Sequence, residues 1–312
     1  MASSSSQHNG YGQNGVVREA THAGSWYSGS ARELSAQLDS WLAQAPASYA
    51  PARALIAPHA GYSYCGPTAA HAYKQVEPSH IERVFILGPS HHVCLSGCAL
   101  SQCSRYATPL GDLPLDQKVI NELEATGEFE LMDLKTDEAE HSIEMHLPFI
   151  AKVFNERKRG VKVVPILVGS LSSSRQAEYG RILARYLADH RSLFVVSSDF
   201  CHWGSRFRFS PWDRSSPLQI WEQIERMDRD GMALIERMEP IPWADYLKRT
   251  QNTICGRHPI SVMLQAAEHF RQANNHSASL HFLDYSQSNR VRSPSDSSVS
   301  YAAAALCIHP RN

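Results

Sequence analysis

No stretch of this 312-residue chain stays apolar for the roughly 18 to 20 residues that a membrane-crossing helix needs, so no stable membrane insertion is expected. The first fifteen residues, MASSSSQHNGYGQNG, have neither the apolar core of a signal peptide nor the arginines of a transit peptide. Their Ser, Gly, Asn and Gln content reads as a disordered tail over residues 1–15. Neither charge is in surplus: 30 Lys and Arg face 31 Asp and Glu, a formal net charge of −1. A phosphate backbone therefore meets no broad basic face, and nucleic acid is not an expected partner. The seven cysteines lack the dense, even spacing of a secreted disulfide framework, which points to a reducing, cytoplasmic setting. There is no fixed-period repeat, and no CxxC or HExxH signature to fix a metal site by spacing alone.

What is present is apolar content of 43%, enough for a substantial core, with no Pro/Gly/Ser-rich break in the middle of the chain. One domain is expected over residues 16–312. Short apolar runs at Ala52–Ala57, Val84–Leu87, Val161–Val168 and Leu193–Ser197 read as buried strands. Stretches with helical character lie around Thr68–Gln75, Asp116–Thr126, Ser142–Arg157 and Gln176–Asp189. This alternation predicts an α/β fold with helices packed on the faces of a central sheet. Leu218–Met238 and Ile260–Gln272 read as later helices, and Ser279–Tyr285 and Ser298–Cys307 as closing strands. Pro165 removes a ladder donor, so its strand is expected at an edge, or the proline at a bulge or strand end. Ser286–Ser298, polar and turn-rich, reads as a surface loop.

Three of the apolar runs end directly in ligand-competent residues. The first leads to His59 in APHAGYSYCG, the second to His91 and His92 in GPSHH, and the fourth to Asp199, Cys201 and His202 in SSDFCHWG. Carboxyl ends of neighbouring strands in an open α/β sheet converge on a crevice, so these residues are expected to share one site. Neutral imidazole binds iron, copper or zinc, and a carboxylate or thiolate completes a three-ligand set. His59 and His91 are two such ligands, with Asp199 or Cys255 of NTICGRHP as the third. Any one histidine after a strand is more often a hydrogen-bonded loop residue; three clusters together shift that balance. In DEAEHSIEMHLPF, Glu140, His141, Glu144 and His146 open a helix. Asp137 and Glu138 suit its N-terminus, while His141 or Glu144 could line the pocket or hold a ligating histidine in orientation. Trp26, Tyr27, Tyr62, Tyr64 and Trp203 read first as packing and second as an aromatic wall. Arg206, Arg208 and Arg257 lie near the site residues in sequence and carry guanidinium groups suited to carboxylate or phosphate.

Across HAGSWY, IAPHAGYSYCGPTAAHAYKQV, FILGPSHHVCLSGCAL, TDEAEHSIEMHLPF, LFVVSSDFCHWGSRFRFS, NTICGRHPI and DSSVSYAA, the chain closely resembles the Memo family, mediators of ErbB-receptor-driven cell motility. The likeness runs from about Arg18 to the C-terminal region. It implies a fold like that of class III extradiol dioxygenases, a central mixed sheet flanked by helices. It implies His59, His91 and Cys255 as ligands of copper or iron, with His202 and Asp199 as catalytic groups beside them. Trp26, Tyr64, His92, His141, Glu144 and Arg206 fall around the implied pocket. Related dioxygenases have a glutamate where this family has a cysteine; a thiolate is softer and itself oxidisable, which disfavours ring cleavage and admits redox chemistry. The resemblance further implies a cleft that takes phosphotyrosine peptide from a phosphorylated ErbB-type receptor tail or adaptor, with microtubule-linked signalling partners. Two other readings follow from the same residues: an active non-haem iron dioxygenase, and a metal-free adaptor with a vestigial site.

Overall fold

The computed structural model describes residues 15–155, 160–273 and 276–310. The expected tail, apart from Gly15, therefore lies outside the described residues. From the N-terminus the elements are β1 (Val17–Arg18), α1 (Ala31–Gln44), β2 (Ala54–Ala57), α2 (Tyr62–Tyr73), β3 (Arg83–Pro89), β4 (Cys98–Ser101), β5 (Arg105–Tyr106), β6 (Leu113–Pro114), α3 (Gln117–Glu124) and β7 (Phe129–Met132). There follow α4 (Leu134–Ala139), α5 (His141–Glu144), α6 (Leu147–Val153), β8 (Lys162–Val168), α7 (Ser173–Ala188) and β9 (Ser192–Ser197). The last are β10 (His202–Trp203), α8 (Ile220–Glu236), α9 (Pro240–Thr250), α10 (Arg257–Ala273), β11 (His276–Gln287) and β12 (Ser298–Pro310).

The four apolar runs become β2, β9, β3 and β8, which lie side by side and parallel. β2 and β9 are buried at every position, as strands covered on both faces must be. The main sheet runs β10-β12-β2-β9-β3-β8-β4-β7, with β11 antiparallel along β12. Antiparallel joins at β12–β2 and β8–β4 make it the mixed sheet expected. Helices α7 and α10 pack together and against β9, while α1, α2 and α6 form a second packed group. Together they flank the sheet. A separate small sheet, β1-β5-β6, ties the N-terminal segment to the body.

Two expectations are corrected. The strand with Pro165 is interior, between β3 and β4, and not at an edge. The Val163 carbonyl accepts from Asp116 N–H on the β4 side, so with a period of two Pro165 turns its missing donor to that side as well. The pairing of β4 with β8 stops at Leu100 and Ile166, so the proline falls where no ladder bond is needed. The helix expected over Ser142–Arg157 is broken into α5 and α6 around Met145 and His146, and its expected end lies outside the described residues.

Candidate metal centre

Because β2, β9 and β3 are parallel neighbours, their carboxyl ends deliver His59, Asp199 and His91 to one place. His59 is buried, and its Nδ1 lies 2.6 Å from Ser197 Oγ. The Ser197 hydroxyl donates to the Ser142 carbonyl at 2.7 Å, so it accepts from both His59 Nδ1 and, at 2.8 Å, His146 Nε2. The other His146 nitrogen then accepts from Tyr73 OH at 2.9 Å. Burial keeps both rings neutral, lowering His59 well below the usual imidazole range and His146 to about 3. This buried chain fixes the tautomer: His59 Nε2 carries the lone pair and faces the Cys255 thiol.

His91 is held the same way from another side. The Glu140 carboxylate accepts its backbone N–H at 2.7 Å and its Nδ1 at 2.8 Å, and also accepts Ser142 N–H at 2.9 Å. Burial works against the Glu140 charge, but the bonds from His91 and Ser142 outweigh it and hold the carboxyl low. With Nδ1 donating to Glu140, the nitrogen of His91 left for a ligand is Nε2, in the carboxylate–imidazole arrangement common behind ligating histidines. His141 stacks on His91 with centroids 4.4 Å apart and 15° between planes. Burial, and next the adjacent His91, lower the His141 pKa. Ligand nitrogens of His59, His91 and His141 all lie within 4.8 Å of one another, a set that could hold a metal ion.

The implied set of His59, His91 and Cys255 is thus met only in part. Cys255 Sγ is 3.2 Å from His59 Nε2 but falls outside the mutually close group, whose third member is His141. The thiol also accepts Asp199 N–H at 3.2 Å, and burial pushes its pKa up. Its loop can lie against the end of β9 only because residue 256 is glycine: a Cβ there would collide with the Ser197 carbonyl and the Ser198 side chain. Asp199, expected near the reacting groups, is buried and spends Oδ1 on the His59 backbone N–H at 2.9 Å, which shapes the turn after β2. Burial raises its pKa. His202 Nδ1 faces the carbonyls of Phe200 at 2.9 Å and Thr253 at 3.0 Å, so it carries the hydrogen and leaves Nε2 as a base.

His59, His91, His141 and Asp199 line a cleft of about 650 Å³ whose walls also include Trp26, Tyr64, His202, Arg206 and Tyr301. Trp26 lies over His141 with centroids 4.4 Å apart, and the Arg206 guanidinium over Phe207 at 4.5 Å. His92 is not in the wall; its ring meets His141 edge-on at 6.1 Å, at the rim. Glu144 is not in it either. Its buried carboxylate pairs with Arg18 at 2.7 Å and accepts from His22 Nδ1 at 2.7 Å and Tyr27 OH at 2.8 Å. Asp137, expected to favour a helix terminus, is likewise buried on Arg18, Tyr106 and Ser101. The orienting carboxylate is Glu140, and Ser197, His146 and Thr253 were further parts that sequence reasoning missed. Only the Ser-Ser-Asp run directly after a strand hinted at Ser197.

The donors are imidazole nitrogens with a thiol beside them, which suits copper or ferrous iron by ligand chemistry. A single mixed α/β sheet ending in a histidine cluster, open to a cleft, defines the class of protein. The sequence family described as Memo-like protein matches residues 18–305. Protein memo-1 homolog of Caenorhabditis elegans is 60% identical over 302 residues, 97% of this chain and 85% of that protein. Protein MEMO1 of Xenopus laevis is 59% identical, and protein MEMO1 of Homo sapiens 56%, each over 294 residues covering 94% of this chain and 98% of the relative. The chain belongs to the Memo family. Among solved structures, uncharacterized protein JW3007 from Escherichia coli K12 aligns with a TM-score of 0.50 at 16% identity, covering 80% of this chain and 98% of that one; this likeness concerns the fold alone. No helix among the described residues is long and apolar enough to cross a membrane.

Proposed function

We propose that this chain is a cytoplasmic, metal-binding, redox-linked signalling protein. In this reading His59 and His91 hold copper or iron, and the third position is filled by His141 as arranged here or by Cys255 as the family likeness implies. The observation that carries it is the pair of imidazoles, each with its Nδ1 fixed by a bond, to Ser197 and to Glu140, so that both turn Nε2 toward one cleft. Bound copper or iron would supply one-electron redox chemistry and Lewis acidity at this point. The protein's part is to orient both imidazoles, and to place His202 Nε2 where it can take a proton from a molecule in the cleft.

The same cleft is read as the seat of a phosphotyrosine side chain from an activated ErbB-type receptor or its adaptor, in motility signalling that extends to microtubule-linked partners. Support comes from Arg206, a donor to phosphate oxygens, and from the aromatic faces of Trp26 and Tyr64 in the wall. Metal and phosphopeptide then share residues and compete. Titration of a phosphotyrosyl peptide into metal-free and copper-loaded protein is expected to show weaker binding to the loaded form, and binding lost in Arg206→Gln. Equal affinity in both forms counts against a shared site. A second reading, an oxygenase, is favoured by His202 Nε2 alone; oxygen uptake with catechols on iron-loaded protein distinguishes it, and none is expected.

A further inference from the structure

On the other side of the segment that carries Cys255 lies a second groove, of about 470 Å³, that the proposed function does not use. Three helices meet around it. α7 and α10 contribute their first turns, through Ser173 and Gln176 and through Arg257 and His258. At 16 and 17 residues, both direct the positive ends of full-length helices toward it. α9 contributes its last turn, which brings a negative end, and Gln251 takes up two of the carbonyls there: its N–H bonds Leu247 O at 2.9 Å and its Nε2 bonds Lys248 O at 2.8 Å. Lys248 and Arg257 add two positive charges, and among the described residues no Asp or Glu lines the groove. Among the described residues neither cation has a carboxylate within ion-pair distance; Arg257 Nη1 donates only to Ile254 O, at 3.2 Å. His258 is neutral by burial, and its Nδ1 accepts from Leu171 N–H and Gln176 Nε2. Its Nε2 is therefore a further donor.

We infer that this groove binds a small phosphate-type oxyanion and that its occupancy is felt at His202 through the Asn252–His258 segment. Donors from three helices surround one space, a geometry that suits a tetrahedral anion with oxygens pointing several ways. The link to the cleft is short. Thr253, in the groove wall, accepts the His202 backbone N–H at 2.9 Å on Oγ1 and receives His202 Nδ1 on its carbonyl at 3.0 Å. Two residues on, Cys255 meets His59. An anion drawn between Arg257 and Lys248 thus pulls on a segment whose other face holds the cleft base and the thiol.

The test is a titration of the full-length, metal-free chain with inorganic phosphate, followed by calorimetry and by the histidine ring resonances. Parent protein is expected to bind with Kd below about 1 mM. Arg257→Gln and Lys248→Gln are each expected to weaken binding roughly tenfold. The His202 ring signals are expected to move as phosphate saturates. No binding by the parent, or binding lost only with Arg206→Gln, overturns the site; saturation with unmoved His202 signals overturns the link. Should Arg257→Gln fail to fold, the exposed Lys248→Gln carries the same test. Because Arg206 and Arg257 serve different clefts, failure here is distinguishable from failure of the phosphopeptide reading.

Discussion

Ser197 decides which nitrogen of His59 is free. Its one hydrogen goes to the Ser142 carbonyl, so two imidazole N–H groups must point at it, and His59 Nε2 is left for a metal. Ser197→Ala leaves both of those N–H groups buried without an acceptor, at a cost of about 1–3 kcal/mol. Freed of its partner, His59 can also take the wrong tautomer. Metal affinity is expected to fall by roughly 10- to 100-fold, as read by competition with a chelator of known strength; unchanged affinity would mean the chain behind His59 does not orient it. His59, His91 and His202 were legible as residues of one cleft because each follows within a few residues of an apolar run that reads as a strand; Cys255, read as one of two candidates for a third ligand, meets His59 without joining the mutually close group. Ser197, Glu140 and His146 were not legible, since their roles depend on contacts 49 to 138 residues away along the chain. Glu140 itself sits 49 residues from the histidine it holds. Glu144 was misplaced in the pocket for the reverse reason: a four-residue helix points it at Arg18 and His22, and nothing in DEAEHSIEMHLPF reveals that buried cation.

Among the elements, the four parallel strands were readable from apolar runs with turn residues at both ends, and their common direction is what gathers the site. Less was readable where short elements depend on neighbours. β4 and β7 are four residues each, and β1, β5 and β6 only two, so no periodicity could develop within them. The break between α5 and α6 places His146 under Ser197, and the break between α4 and α5 sets Glu140 as the N-cap of α5, an arrangement one continuous helix could not give. At the α9–α10 connection the loop rests on the end of β9 through Gly256. Gly256→Ala is expected to destabilise the fold by about 1–3 kcal/mol, since either the loop or β9 must shift. Such a shift carries Cys255 away from His59. The variant should therefore lose both melting temperature and thiol protection, measured by calorimetry and by the rate of thiol alkylation; wild-type values for both would show that the close approach is not needed.

For the molecule as a whole, two buried carboxyls give stability opposite dependences on pH. Burial raises Asp228 to about 6, despite bonds from Asn252, Tyr285 and Cys201. A raised pKa favours the folded state most below the unfolded value near ~3.9, and that contribution is lost as pH climbs through 6, by about 3 kcal/mol. Glu144 behaves oppositely: burial opposes its charge, but His22 and Arg18 outweigh it and bring it to about 2. Its contribution is present above the unfolded value near ~4.3 and is lost as pH falls toward 2. Urea unfolding across this range is expected to show Asp228→Asn removing the fall on the neutral side and Glu144→Gln removing the fall on the acid side. At this scale the fold and family were legible from the chain alone, because long motifs at the strand ends and the strand–helix alternation agree. The central claim, that His59 and His91 are the metal ligands, is tested most directly by metal content after anaerobic purification of the parent, His59→Ala and His91→Ala under identical iron and copper loading. Near-stoichiometric metal in the parent that falls sharply in both variants is the predicted result; metal absent from all three, or retained in both variants, would contradict it.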